Sequence, residues 1–357
     1  MSVKVSYLHG RFGPHVMHGR LAKSLGAEFE MIDKYKKWNE GSPSKLFLIY
    51  AWIYNAFAFK NPKKYTHFLV SGPHFSPIIM KIFRLNRKQK LIVHLGDETM
   101  YFLHIKWYGT IMQKALIGLL NQYDALFCEG NMAAELARSN GVVKPKIYTT
   151  YLGVPIERQN QLLKLEHNYE SNNLIFISSG PGGWRTYYKG LDLMINAYSK
   201  AFQLNETLSF TIVGDWDEDL QIELMKNCNE NCKMSIDFVG YTKEIDKYLS
   251  KASFYFHTAR GDAFPTVVLE GMSAGLIPLV SEWTGSKEVV GAVDKACVVS
   301  LNEDEICNKL ISFTKMSINK RAELAAKMRE ESKKYTESFA LQHYKEAFDK
   351  FNKETEC

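Results

Sequence analysis

Two carboxylates flank a loop in ARGDAFPTVVLEGMSAG (residues 259–275): Asp262 before a helix start and Glu270 within the helix. The preceding FYFHTA reads as a strand, and Pro265 suits a first helical position. Backbone amides at Phe264, Thr266 and Val267 would face any anion held there, and the helix dipole would favour it. Carboxylates that grip hydroxyls beside an anion-binding helix start describe a site for a nucleotide sugar. The same pattern also describes an ordinary strand-loop-helix joint, and these residues alone leave both readings open.

A second joint, SSGPGGWRTYYKGLDLMINAY (residues 178–198), carries Gly180, Gly182 and Gly183, where backbone can approach a ligand closely. Arg185 and Lys189 supply charge for a diphosphate. The segment lacks the GKS/T element of a P-loop and the glycine spacing of a dinucleotide fingerprint. A surface turn with two solvated cations is the competing reading. In IVHLGDE (residues 92–98), His94 and Asp97 end a strand, where a catalytic group would face a ligand and a structural histidine would simply pack. In HGRFGPHVMHGRLAKSLG (residues 9–26), Gly10 and Gly13 form a loop, and His15 and His18 either approach an acceptor or cap and pack.

These residues need a scaffold, and the chain supplies a repeating one. VKVSYLH, THFLV, LIVHL, ALFCEG and KIYTTY read as strands, separated by helical patterns such as HGRLAKSLG, TIMQKALIGLL and MAAELARSNG. After a polar segment, Pro155 to Asn173, the alternation restarts with NLIFISSG, SFTIVG, SIDFVG, FYFHTA and LIPLVS. Two α/β units with parallel sheets are expected, meeting at a cleft outside the carboxyl ends of their strands. Residues 1–155 form the first, 156–170 a linker and 171–335 the second. A long charged helical region ends the chain, with residues 336–357 crossing back to the first unit.

The 357 residues are 46% hydrophobic and 24% charged, which excludes disorder, collagen and coiled coil. No apolar run reaches the roughly 20 residues of a membrane-spanning helix. The opening MSVKVSYLHG has no signal-peptide core. Six thinly spread cysteines suit a reducing cytosol. Cys228 and Cys232 fall one helical turn apart, with no second ligand pair near them to complete a metal site.

Net charge is +6, but it is divided unevenly. Residues 1–155 carry 21 Lys and Arg against 9 Asp and Glu, while the remainder carries 24 against 30. Residues 31–64 hold seven Lys around the apolar run LFLIYAWIYNAFAF (46–59), and KIFRLNRKQK (81–90) holds five cations. Basic flanks around Trp and Tyr fit a helix at an anionic membrane surface. A core role for residues 46–59 is equally compatible, with one face buried and the ends touching lipid. Nucleic acid is not an expected partner, since zinc-finger, RNP and helix-turn-helix patterns are lacking.

Taken in order, the motifs resemble the family 4 retaining glycosyltransferases of the GT-B fold. KGLDLMINAY is similar to that family's Lys-Gly-x-Asp element, TIVGDWDEDL to its Val-Gly-x-Gly segment and DAFPTVVLEGMSAGLIPLVSEWTGSKEVV to its Glu-x7-Glu donor motif. HGRLAKSL, YDALFCEG and YLGVP resemble its less specific landmarks. The resemblance implies two Rossmann-like domains, the first binding acceptor and the second a nucleotide-sugar donor. It implies that Lys189 and Arg185 hold the diphosphate and that Glu270 holds the ribose hydroxyls. Asp262, with the backbone of Phe264, Pro265 and Thr266, would hold the sugar and distal phosphate. Tyr241 and Thr242 would lie near the base, with His94 and Asp97 near the reacting sugar. Gly13 would let the first loop approach phosphate or acceptor. Catalytic roles fall to His94, Asp97 and Asp262. The implied activity is hexosyl transfer from a UDP-sugar to a glycan or lipid-linked acceptor, without cofactor or metal, at the cytosolic face of a membrane. A nucleotide-sugar epimerase or hydrolase, or a non-catalytic binding protein, would share these features. Two departures stand out: Asp262 replaces the first Glu of the donor motif, and Asp215-Trp216 stands where a second Gly is usual.

Overall fold

The structure, a computed structural model, describes residues 3–10, 13, 16–32, 45–96, 98–167, 169–179 and 184–355. It divides into two units, Met1–Tyr151 with Ala340–Cys357, and Leu152–Phe339.

The first unit is built on strands β1 (Val5–His9), β2 (Glu28–Met31), β3 (His67–Ser71), β4 (Lys90–Leu95), β5 (Ala125–Glu129) and β6 (Lys146–Thr150). They form one parallel sheet in the order β2-β1-β3-β4-β5-β6. The inner strands are buried on both faces, which is why LIVHL and ALFC read as continuous apolar runs. Edge strand β2, EFEM, escapes a sequence reading because it has only four residues and none of them is buried. Helices α1 (Val16–Ser24), α2 (Lys45–Ala58), α3 (Phe75–Phe83) and α4 (Gly130–Ser139) serve as crossovers.

The apolar run in α2 divides into two faces. Ala51, Asn55, Ala56 and the following Phe59 are buried, and the small alanines let α3 pack close. Ile49, Tyr50, Ile53, Tyr54 and Phe57 lie between 43% and 54% exposed, on one helical face. Ile82 and Phe83 of α3 continue this surface, with Phe83 6.2 Å from Phe57 between ring centroids. A core role thus holds for one face of α2 only. Part of the basic charge nearby is already engaged. Arg84 donates to the carbonyls of Ala56 (2.9 Å), Phe57 (3.1 Å) and Phe59 (2.6 Å), capping α2. Lys81 pairs with Asp124 (2.9 Å) and Lys64 with Glu28 (2.5 Å). Lys60, Lys63, Arg87 and Lys88 are exposed. Residues 33–44 of the first basic stretch lie outside the described residues. No described helix is long and apolar enough to cross a membrane.

The second unit has strands β7 (Asn173–Ile177), β8 (Ser209–Val213), β9 (Ile236–Gly240), β10 (Phe254–His257), β11 (Ile277–Ser281) and β12 (Val298–Val299). They too form a parallel sheet, in the order β12-β11-β10-β7-β8-β9. Its functional helices are α5 (Ile156–Leu162), α6 (Trp184–Lys189), α7 (Leu191–Leu204) and α8 (Thr266–Ala274). Helix α5 occupies the stretch expected to be a linker. It is folded because Leu162 and Gln159 are buried, and the Gln159 side chain donates to Ser332 O at 2.9 Å.

The charged region at the end of the chain is two helices, Ile318–Ser332 and Glu337–Thr355. Between them, backbone groups pair with Val154 instead of continuing the helix. Val154 N donates to Tyr335 O (3.0 Å) and Glu337 N to Val154 O (2.9 Å). The final helix then joins the first unit, burying Tyr344, Phe348 and Phe351. Tyr344 packs 5.2 Å from Phe127, and Phe348 5.1 Å from His67.

Candidate functional site

Lys189 ends α6, and Gly190 separates it from α7. Gly190 has φ of +72°, and a Cβ there would lie 2.5 Å from Thr258 O. Only glycine lets this joint lie flat on the loop that follows β10. Arg260, in that loop, fastens the contact. Its guanidinium donates to both oxygens of Asp192 (2.7 and 2.8 Å) and to Tyr187 O (2.7 Å), and it stacks 4.4 Å from the Tyr187 ring centroid. Its amide donates to Tyr188 O at 2.7 Å.

The consequence is a charge cluster. The Lys189 ammonium forms an ion pair with the Asp262 carboxylate, both side chains mostly buried. His257, fully buried at the end of β10, donates Nε2–H to the same Asp262 oxygen at 3.1 Å. Burial pushes the Asp262 carboxyl up, but Lys189 and His257 outweigh it and hold it well below the usual carboxylate range. Burial lowers His257 in spite of the Asp262 carboxylate, so its ring is neutral at pH 7. Gly285 N secures the loop by donating to Asp262 O at 2.8 Å.

The other expected donor residues also belong to the second unit. Arg185 lies one turn before Lys189 and donates Nε–H to Ser179 O at 2.8 Å. Pro265 is the N-cap of α8, one position earlier than a first helical residue, and Thr266 begins the helix. The first amides of α8 have no acceptor within the helix and are available to an anion. Phe264 is buried, with its ring 6.1 Å from Tyr335. Glu270, on α8, accepts from Arg158 Nε at 3.1 Å, and Arg158 Nη1 donates to Asp246 at 2.5 Å. These residues line an open cavity of ≈ 660 Å³ with Gln161, Lys243 and Lys247. Burial lowers the Arg158 guanidinium, and the two acids reverse that and hold it charged.

Tyr241 and Thr242 form the turn after β9. Tyr241 N donates to Asp215 at 2.9 Å, and Thr242 Oγ1 accepts from Glu244 N at 3.0 Å. The Tyr241 ring is exposed. Trp216 is buried, with its indole N–H donating to Ser178 O at 2.8 Å. The Asp215-Trp216 departure therefore sends the Trp inward and leaves Asp215 to order the Tyr241 turn.

His94 and Gly13 belong to the first unit. His94 is 1% exposed. Its Nε2 lies 2.8 Å from Glu129 Oε1 and its Nδ1 3.3 Å from Tyr344 Oη. The catalytic role expected of His94 thus has no open ring nitrogen to act through. Burial raises the Glu129 carboxyl, but His18 and His94 outweigh it and hold it at about 2. Gly13 has φ of +83° with open space around it. Asp97, His15, Gly180, Gly182 and Gly183 lie outside the described residues.

The structure thus joins Lys189 to Asp262 and binds the helix of Arg185 to the same loop, while Glu270 stands with Arg158. Sequence reasoning missed Arg158, His257, Arg260 and Asp192. Asp192 carried a signal as the Asp of the Lys-Gly-x-Asp element, and His257 and Arg260 lie in the strand and loop already singled out before Asp262; Arg158 carried none.

Residues 164–335 match the family model described as Glycosyl transferases group 1. No curated protein matches the chain. Among solved structures, Alr3699/HepE of Anabaena, in complex with UDP and glucose, is similar at a TM-score of 0.68 and 14% identity, covering 98% of this chain and 100% of that one. "Trehalose-6-phosphate from E. coli bound with UDP-2-fluoro glucose" gives 0.71 and 12%, covering 97% and 98%. A glycosyltransferase from Rickettsia africae ESF-5 gives 0.64 and 14%, covering 98% and 99%. At these identities the likeness is one of fold, and that fold is GT-B: α/β, with two six-stranded parallel sheets.

Proposed function

We propose that this chain, a glycosyltransferase, takes a sugar from a UDP-sugar held by its second unit. It passes that sugar, with retention at the anomeric carbon, to a glycan or lipid-linked glycan. The carrying observation is the Lys189–Asp262–His257 cluster at the carboxyl end of β10, beside the start of α8. UDP is the favoured nucleotide because two structures of the same fold hold UDP or a UDP-sugar analogue.

Lys189, Arg185 and the first amides of α8 stabilise the negative charge that develops on the departing diphosphate. Fixed cations and amides of this kind do the work without a metal ion. Before donor binds, Asp262 is occupied by Lys189. Once the diphosphate draws Lys189 away, Asp262 accepts hydrogen bonds from the sugar, with His257 still fixing its carboxylate. Glu270, oriented by Arg158, accepts from the ribose hydroxyls, and Tyr241 and Thr242 border the base. The reaction proceeds on one face: the C–O bond to the diphosphate breaks, the acceptor oxygen bonds to the same face, and the leaving phosphate takes the acceptor proton. A glycosyl adduct trapped on Asp97 or Asp262 would overturn that order of events. The first unit, with its Gly13 loop and Asp97, takes the acceptor.

The outer face of α2, with Ile82 and Phe83 and its rim of Lys60, Lys63, Arg87 and Lys88, rests on an anionic membrane surface. A lipid-linked acceptor would be met there.

The test is thermal shift against UDP, GDP, ADP and their sugars in EDTA. A UDP-selective rise of about 5 °C at a hundredfold excess over Kd, absent in Lys189→Ala and Glu270→Ala, is expected. A rise that requires Mg²⁺ would refute the metal-independent site. Donor consumed without any acceptor would identify an epimerase or hydrolase, and donor bound without turnover a binding protein.

A further inference from the structure

In the first unit, three side chains from three separate elements converge on one point. His94 is the next-to-last residue of β4, Glu129 ends β5 and His18 lies on α1. Both His94 Nε2 and His18 Nε2 lie 2.8 Å from the same oxygen, Glu129 Oε1. The two rings sit side by side, with centroids 4.4 Å apart and a tilt of 34°. Candidate ligand atoms from the three residues fall within 4.8 Å of one another.

We infer that His18, His94 and Glu129 form a binding site for one divalent first-row transition ion, zinc being the type case. Two imidazoles and a carboxylate are a donor set for such an ion and not for Mg²⁺ or Ca²⁺, which take oxygen ligands.

Three further observations support this. Glu129 is 1% exposed, and its second oxygen, Oε2, is buried with no hydrogen-bond partner among the described residues. A buried carboxylate oxygen left unpartnered is costly, and a metal ion would satisfy it. Space for the carboxylate is reserved by Gly96, where a Cβ would lie 2.4–2.6 Å from the Glu129 carboxylate atoms. Behind His94, Tyr344 Oη stands 3.3 Å from Nδ1, the position from which a partner orients a ligating histidine.

Binding requires a change of tautomer. Without the ion, each Nε2 carries the hydrogen that it donates to Glu129. With the ion, Nε2 turns a lone pair to the metal and the proton moves to Nδ1, where that of His94 donates to Tyr344 Oη. The His18 side chain is 13% exposed, so the cluster touches solvent on that side. The ion would tie α1 to the ends of β4 and β5. The Lys189–Asp262–His257 cluster belongs to the second unit and shares no residue with this site.

Titration of the full chain, stripped of metal, with Co²⁺ tests this. We expect one equivalent bound, visible absorption bands abolished by Zn²⁺, and a raised Tm. Affinity should fall at least about 100-fold in Glu129→Gln and about 10- to 100-fold in Tyr344→Phe. His18→Gln changes a partly exposed helical residue and provides the same reading if Glu129→Gln fails to fold by circular dichroism. Stoichiometric binding lost in these variants supports the site. Absence of binding to the folded wild-type chain, or binding unchanged in both His18→Gln and Glu129→Gln, overturns it and leaves a hydrogen-bonded network alone.

Discussion

Asp262→Asn should affect UDP and UDP-sugar in opposite directions. Asp262 holds the ammonium of Lys189, so a diphosphate must compete for it. Two unit charges about 3 Å apart attract by roughly 5 kcal/mol at an effective dielectric near 20. Desolvation cancels much of that for a part-buried pair, and a net of about 1–2 kcal/mol is reasonable. Removing the competitor returns this to the ligand, so UDP should bind about 5- to 30-fold more tightly. Turnover should instead fall about 100-fold, because the sugar loses its carboxylate partner in the transition state. Calorimetric titration with UDP and a steady-state assay with UDP-sugar read the two effects separately. UDP binding weakened by Asp262→Asn as much as by Lys189→Ala would refute the competition. The same variant has a pH signature. The Asp262 carboxyl is depressed from its ordinary value of 3.8, so its stabilising effect is present above that value and is lost as pH falls below it. The Tm of the variant should lie below wild type at pH 7, and the gap should begin to narrow only as pH falls below about 4 and go on narrowing as pH falls further.

Glu270→Gln should weaken UDP about tenfold while leaving binding of inorganic pyrophosphate unchanged, since only the ribose contact is lost; equal losses for both would place Glu270 elsewhere. Gly190→Ala adds a Cβ 2.5 Å from Thr258 O at positive φ. Urea unfolding should show about 2–3 kcal/mol of destabilisation, and a neutral result would mean that α6 is not tied to the β10 loop as described. Flotation with phosphatidylglycerol vesicles should recover the wild-type chain, and neutral vesicles should not. Ile53→Glu with Phe57→Glu should abolish recovery, and unchanged flotation would remove the membrane proposal.

The sheets were legible where strands are buried on both faces. LIVHL and ALFCEG stand out because nothing polar interrupts them, whereas EFEM at a sheet edge follows no such rule. The Lys-Gly-x-Asp and Asp-x7-Glu elements drew attention to Lys189 and Asp262. Their pairing was not announced, because Lys189 and Asp262 are 73 residues apart and meet through the contact of Gly190 with Thr258 and the bonds of Arg260. Arg158 sits in a polar stretch that reads as a linker, since the burial that folds α5 comes from Ser332, far along the chain. The surroundings of His94 were hidden for a similar reason. A strand-end histidine looks available until its partners are known, and these lie 35 and 250 residues away.

The final helix has a bearing on how the chain is made. Tyr344, Phe348 and Phe351 fill the first unit from a segment synthesised after the whole of the second. During translation the second unit can close over its own contiguous sequence. The first must wait, its aromatic surface around Phe127 and His67 uncovered, until residues 340–355 emerge from the ribosome. Loop closure across so long an interval makes this docking step slow and prone to aggregation. Residues 1–151 expressed alone would keep that gap, whereas a circular permutant joining residues 340–357 directly to them would make the unit continuous.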